Sequence, residues 1–185
     1  QKTTLFGHDV KGNRTSVTDF TGVSTVYSFD SVDRLLTATT PSGATHNFYW
    51  PDGLLKRTEV HQGNLAGPVT TVEKRCYDDA SRLTTVGSGP PNFMDDHCPT
   101  NMGPVVFSRF DYGLDRNSNR VSQLERRAST TELTEHGYDD LDRLVATVEP
   151  SEAKLYQLDA VGNRTGEKKT TPVAARLLGL AAAAF

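Results

Sequence analysis

The sequence predicts an all-β protein made of repeated antiparallel β-hairpins that join into an extended sheet. Three observations lead there. A motif of an aromatic residue, Asp, a short turn and Arg recurs along the chain. Asp, Asn and Gly occupy the turn positions of that motif, where the polar side chains bond the local backbone and Gly reaches the left-handed region freely. Finally, only 36% of the 185 residues are hydrophobic and the mean hydropathy is −0.49. That suits a thin sheet with one apolar face better than a layered α/β core. Aromatics at 8%, with many Thr and Val, separate the chain from disordered sequences.

The repeat units follow in order. Asp9-Val10-Lys11-Gly12-Asn13-Arg14-Thr15 opens the series, and Phe29-Asp30-Ser31-Val32-Asp33-Arg34-Leu35 follows. A degenerate copy, Tyr49-Trp50-Pro51-Asp52-Gly53-Leu54-Leu55, carries Trp50 in the Asp position. The best-formed units are Tyr77-Asp78-Asp79-Ala80-Ser81-Arg82-Leu83 and Tyr138-Asp139-Asp140-Leu141-Asp142-Arg143-Leu144. Between these two lies Asp115-Arg116-Asn117-Ser118-Asn119-Arg120-Val121, and Asp159-Ala160-Val161-Gly162-Asn163-Arg164-Thr165 closes the series. The Asp position thus falls at residues 9, 30, 50, 78, 115, 139 and 159, with spacings of 20 to 37 residues. A base period of about 20 residues accommodates two strands and two turns.

Within a unit the aromatic ends one strand, the polar residues turn the chain, and the Arg opens the returning strand. Leu144, Ala146 and Val148 then share one face of that strand, with Val145 and Thr147 on the other. The repeat domain is predicted over 1–171, with a Gly- and Pro-rich loop insertion at 87–104. Residues 172–185 end in four alanines and Phe185 and read as a short helix, a frayed or disordered tail, or one left by expression cloning, with the last two favoured.

The Tyr-Asp-Asp-x-x-Arg-Leu and Gly-Asn-Arg-Thr forms resemble the tyrosine-aspartate (YD) repeats of the rearrangement-hotspot (Rhs) family. That family includes bacterial polymorphic toxins, wall-associated proteins, toxin-complex subunits and teneurins. The resemblance runs from about Leu5 to Lys169. It implies a curved, spiral-shell-like sheet that encloses or presents a toxin or effector, and a secreted or cell-surface location, although no signal peptide is visible. The chain holds seven such units where a closed shell implies many more, so the expected role is that of a shell fragment. Its expected partners are other segments of a larger parent protein or a toxin cargo, with self-association through sheet edges.

No catalytic centre and no cofactor are expected. The Asp and Arg residues recur once per unit, which turn chemistry explains and a single active site does not. Asp95-Asp96-His97-Cys98 combines metal-ligand types, but four neighbours on one loop lack the spacing of a metal site. No metal ligands are assigned. His8, His46, His61 and His136 are scattered among different units and read as surface or turn residues. Cys76 and Cys98 suffice for one disulfide in an oxidising compartment. The aromatic run Phe48-Tyr49-Trp50 is the candidate ligand-binding patch, a stacking platform for carbohydrate, against the simpler reading of aromatic packing between hairpins. A net charge of −3 supplies no basic footprint for nucleic acid, and no run of some 20 apolar residues spans a membrane.

Overall fold

The computed structural model describes residues 2–93 and 107–177. The chain divides into two compact units, Gln1–Cys76 with Gly87–Phe107, and Tyr77–Val86 with Ser108–Phe185. The first contains β1 (Leu5–His8), β2 (Arg14–Thr18), β3 (Ser24–Phe29), β4 (Leu35–Thr40), β5 (Gly43–Tyr49), β6 (Leu55–Gln62) and nearly all of β7 (Val69–Tyr77). The division falls within β8 (Leu83–Gly89). The second contains β9 (Ser108–Leu114), β10 (Arg120–Arg127), β11 (Thr131–Tyr138), β12 (Leu144–Val148), β13 (Ala153–Leu158), β14 (Arg164–Thr170) and α1 (Pro172–Leu177). In each unit consecutive strands pair antiparallel, β1 with β2 through β6 with β7, and β9 with β10 through β13 with β14. The protein is all-β, as its turn-punctuated sequence predicts. Among the described residues no helix is long and apolar enough to cross a membrane.

The repeat motif is a five-residue turn with one hydrogen-bond pattern. In the turn at Asp78, Oδ1 accepts the amide N–H groups of Ala80 and Arg82, each at 3.0 Å. The Asp78 amide donates to the Arg82 carbonyl at 3.0 Å, and the Ser81 amide donates to the Asp78 carbonyl at 2.9 Å. The same four bonds form at Asp9, Asp30, Asp115, Asp139 and Asp159. At Trp50, which has no carboxylate of its own, the two backbone bonds remain, and the Leu54 amide donates instead to Asp52 Oδ1 at 3.1 Å. An eighth turn of this kind, which the repeat pattern does not reveal, lies at Asp19 between β2 and β3, and it lacks the flanking aromatic and Arg.

The fifth turn residue corrects the expected role of the arginines. Arg34, Arg82 and Arg143 end their turns rather than opening strands, and each closes back on its own aspartate. Arg143 sends both Nε and Nη2 to Asp139 Oδ2 at 2.6 Å. In the other form this place belongs to Asn13, Asn119 and Asn163, whose Nδ2 groups bond the same aspartate oxygen. The following Arg14, Arg120 and Arg164 open the strands and lie over Phe6, Tyr112 and Tyr156. What reads as one motif with an extra residue is therefore one turn with two alternative locks.

Neighbouring turns are tied together within each unit. Lys11 Nζ and Asn13 Nδ2 both reach Asp33 Oδ1, at 3.0 and 2.8 Å. Asn117 and Asn119 both donate to Asp142 Oδ1. Arg82 Nη1 donates to the Asp115 carbonyl at 2.6 Å, and Arg143 Nη1 to that of Asp159 at 3.1 Å. The side chain that locks one turn thus also holds the next.

The fourth turn residue has positive φ every time: Gly12, Gly22, Asp33, Gly53, Ser81, Ser118, Asp142 and Gly162. Two substitutions test this. At Gly162 (φ 93°) an added Cβ meets nothing closer than Arg143 Cδ at 3.6 Å, so any penalty is conformational. Gly162→Val is expected to cost about 1–2 kcal/mol in urea denaturation. Ser81→Gly, at φ 61°, is expected to stay within about 0.5 kcal/mol of the parent, because relief of strain offsets the freedom gained by the unfolded chain. Equal effects at the two positions would contradict the turn geometry.

The buried part is thin. In the second unit it centres on Val148, Ala153 and Ala175. Val148 and Ala153 are cross-strand partners, and α1 supplies Ala175. Residues 172–177 thus take the short-helix alternative rather than the favoured frayed tail. Thr171 Oγ1 accepts the Ala174 amide and the Thr171 carbonyl accepts that of Ala175, while Arg176 pairs with Glu135 at 2.6 Å. Ala146 and Val148 are buried on the predicted face of β12, but Leu144 is 38% exposed. In the first unit Ala44, Val72 and Cys76 are buried together with Glu59, His61 and Lys74.

Candidate functional site

Strand alternation separates Tyr49 from Phe48 within the predicted aromatic patch. Asn47 Nδ2 and Tyr49 Oη both donate to the Leu35 carbonyl, at 3.1 and 2.8 Å, so these two side chains share a face of β5. His46 and Phe48 point the other way, with ring centroids 4.2 Å apart. Each ring of the aromatic run also has a cation over it: Arg57 over Phe48, Arg34 over Tyr49 and Lys56 over Trp50, at 4.0, 4.5 and 4.3 Å. All three are half-buried. The Phe48 and Tyr49 rings lie on opposite faces, and each of the three rings has a cation–π partner.

The face that carries Phe48 holds a more concentrated group. Antiparallel register places His46 directly opposite Glu59, and Ala44 opposite His61, across β5 and β6. Because Glu59 and His61 are two residues apart on one strand, they project to the same side. Ligand atoms of His46, Glu59 and His61 all lie within 4.8 Å of one another. Glu59 is 7% and His61 8% exposed, which corrects the reading of His61 as a surface residue. His46 is half-buried in β5 and His136 half-buried in β11, and only His8 is exposed as expected.

The cluster is oriented from outside. Arg57 Nη2 holds Glu59 Oε1 at 2.9 Å, leaving Oε2 facing His61 Nε2 at 3.6 Å. His61 Nδ1 lies 3.1 Å from the Gly67 carbonyl, an acceptor, so this nitrogen carries the proton. His61 Nε2 is buried without a hydrogen-bond partner. Burial holds the His46 imidazole below the ordinary value of 6.5, against the opposing pull of Glu59. Imidazole nitrogens of His46 and His61 and a carboxylate oxygen of Glu59 therefore converge between two strands.

The sequence reading missed this group because the pairing that builds it joins residues 13 and 15 positions apart. The local signal, Glu59-Val60-His61, is two ligand types on one strand face, and it acquires meaning only from the register of β5. A second charge group, in the other unit, built around the buried Arg109 and the half-buried Asp111, is also absent from the repeat motif. There Asp111 accepts Arg109 Nε and Arg126 Nη1, each at 2.7 Å, and Thr85 Oγ1 at 3.0 Å. Its carboxylate is fully engaged. Asp95, Asp96, His97 and Cys98 lie outside the described residues. Cys76 is disulfide-bonded.

No curated protein matches the sequence. Residues 8–45 match the family model described as RHS Repeat. The fold is similar to the crystal structure of TcdB2-TccC3-Cdc42, with TM-score 0.70 and 17% identity over 93% of this chain. It is likewise similar to that of TcdB2-TccC3 without the hypervariable C-terminal region, with TM-score 0.71 and 17% identity over 92%. The chain spans only 9% of the length of the matching chain in each. At this identity the likeness shows a shared fold. With the matched repeat at residues 8–45 and the turn that recurs along the sequence, it makes this chain similar to the YD-repeat proteins of the Rhs family.

Proposed function

We propose that the chain is a structural segment of an Rhs-type shell, whose parent protein encloses or presents a toxin or effector, and that it carries out no reaction of its own. The observation that supports this most is the repeated tie between neighbouring turns within each unit. Side chains that lock one turn also bond the next at Asn13, Arg82, Asn119 and Arg143, and Lys11 and Asn117 add further bonds to it. Such a device spends the repeated polar residues on holding hairpins side by side, which is what a wall requires and an active site does not.

The terminal strands fit a segment of a longer wall. Among the described residues β1 pairs with β2 and β14 with β13, so each offers a second edge to further strands of the parent or of another copy. A secreted or cell-surface setting accords with the disulfide at Cys76. Carbohydrate binding at Phe48, Tyr49 and Trp50 gains no support from rings that face opposite ways.

Enclosure is tested on the parent protein by limited proteolysis. The cargo segment is expected to resist protease within the intact parent and to be digested when expressed alone. Equal digestion rates in the two settings would rule out a shell that encloses it.

A further inference from the structure

We propose that His46, Glu59 and His61 form a binding site for one divalent transition-metal ion, zinc by the chemistry of the donors, which staples β5 to β6. Two imidazole nitrogens and one carboxylate oxygen are a ligand set that zinc takes with a fourth position left to water. The geometry is close to that of a bound state. The ligand atoms lie within 4.8 Å of one another, and Glu59 Oε2 is 3.6 Å from His61 Nε2. Two atoms bonded tetrahedrally to zinc at about 2.0–2.1 Å stand roughly 3.3–3.4 Å apart, so a small closure completes the site.

The second observation is the unpartnered nitrogen. His61 is more than nine-tenths buried, and with Nδ1 committed to the Gly67 carbonyl its Nε2 stands 3.6 Å from Glu59 Oε2 with no hydrogen-bond partner. Leaving such a buried group unsatisfied is costly, and a metal ion bound between the nitrogen and the carboxylate removes the cost. The outer contacts are those of a metal site. A backbone carbonyl fixes the His61 tautomer, Arg57 orients Glu59 through its other oxygen, and Phe48 lies against His46. Ala44, small and directly opposite His61, leaves room beside the imidazole. Val72, fully buried and opposite Glu59 on β7, gives the site an apolar floor. Arg57 is the opposing charge, and its pairing with Glu59 Oε1 directs it to the oxygen away from His61.

The test uses the chain free of affinity-tag histidines and stripped with EDTA. Zinc added alone is expected to bind saturably at one ion per chain by calorimetry and to raise the thermal midpoint. Cobalt added alone is expected to give the visible absorption of a four-coordinate site. His46→Gln and Glu59→Gln should each lower zinc affinity at least tenfold, and neither change empties a fully buried volume. Circular dichroism and the EDTA-treated melting curve show whether each variant remains folded. His136→Gln, in the other unit, should bind as the parent does. No saturable binding by the parent overturns the proposal. So does undiminished binding by a folded His46→Gln or Glu59→Gln variant, which would place the ion elsewhere. Should both variants unfold, His61→Asn and the cobalt spectrum of the parent decide, since a spectrum without nitrogen ligands also overturns it.

Discussion

Replacing Val148 by aspartate is expected to unfold the second unit, whereas Val161→Asp leaves it intact. Val148 is fully buried against Ala153 and Ala175, while Val161 stands 83% exposed in the last turn. A carboxylate introduced at Val148 has no cation or donor within its apolar cluster, and stranding a charge there costs about 3–5 kcal/mol or more. That is comparable to the whole stability of a small domain, about 5–15 kcal/mol. Val148→Ala separates charge from volume. It removes two methyl groups and leaves a small void, for about 1–3 kcal/mol. In urea midpoint by circular dichroism, Val148→Asp should fall far below Val148→Ala, and Val148→Ala below Val161→Asp. A Val148→Asp protein as stable as the parent would mean that α1 does not seal this cluster.

Acid should dismantle the turns together. The carboxyls of Asp9, Asp19, Asp30, Asp33, Asp78, Asp115, Asp139 and Asp159 are all held below the ordinary 3.8. At Asp78 the leading cause is the side-chain bond from Arg82, and at Asp159 that from Asn163. A carboxyl whose folded pKa is depressed contributes stability that is present above its unfolded value and lost as pH falls through the folded one. The eight contributions therefore disappear below 3.8, in one window. Burial also holds His46 and His136 below 6.5, so a shallower loss begins there, as the unfolded chain takes up protons that the folded chain refuses. The urea midpoint should be level above pH 6.5, decline gently below it, and drop steeply past 3.8. Asp78→Asn keeps an acceptor for the turn amides without the charge, so it should weaken the acid limb while losing less stability at neutral pH than Asp78→Ala. A midpoint unchanged through the acid range would show that the carboxylates do not hold the turns.

The local chemistry of this protein is written in its sequence. An Asp followed by a left-handed-capable residue three places on and by Arg or Asn four places on closes its turn through bonds within five residues. Those bonds form wherever the motif occurs, which is why the hairpins and the antiparallel strands are legible without a structure. Even there, Asp19 escaped notice, because its turn lacks the flanking aromatic and Arg that mark the others. Tertiary structure decided what depends on partners distant in the chain. Six residues from Pro172 do not hold a helix alone, and α1 persists because Ala175 meets Val148 and Ala153. Phe48, Tyr49 and Trp50 read as a patch until strand alternation turns Tyr49 away from Phe48. His46 meets Glu59 and His61 only because β5 and β6 pair in one register, and a shift by a single residue would send the two sets of side chains to opposite faces. Turns are fixed by bonds along the chain, and the cluster by bonds across it.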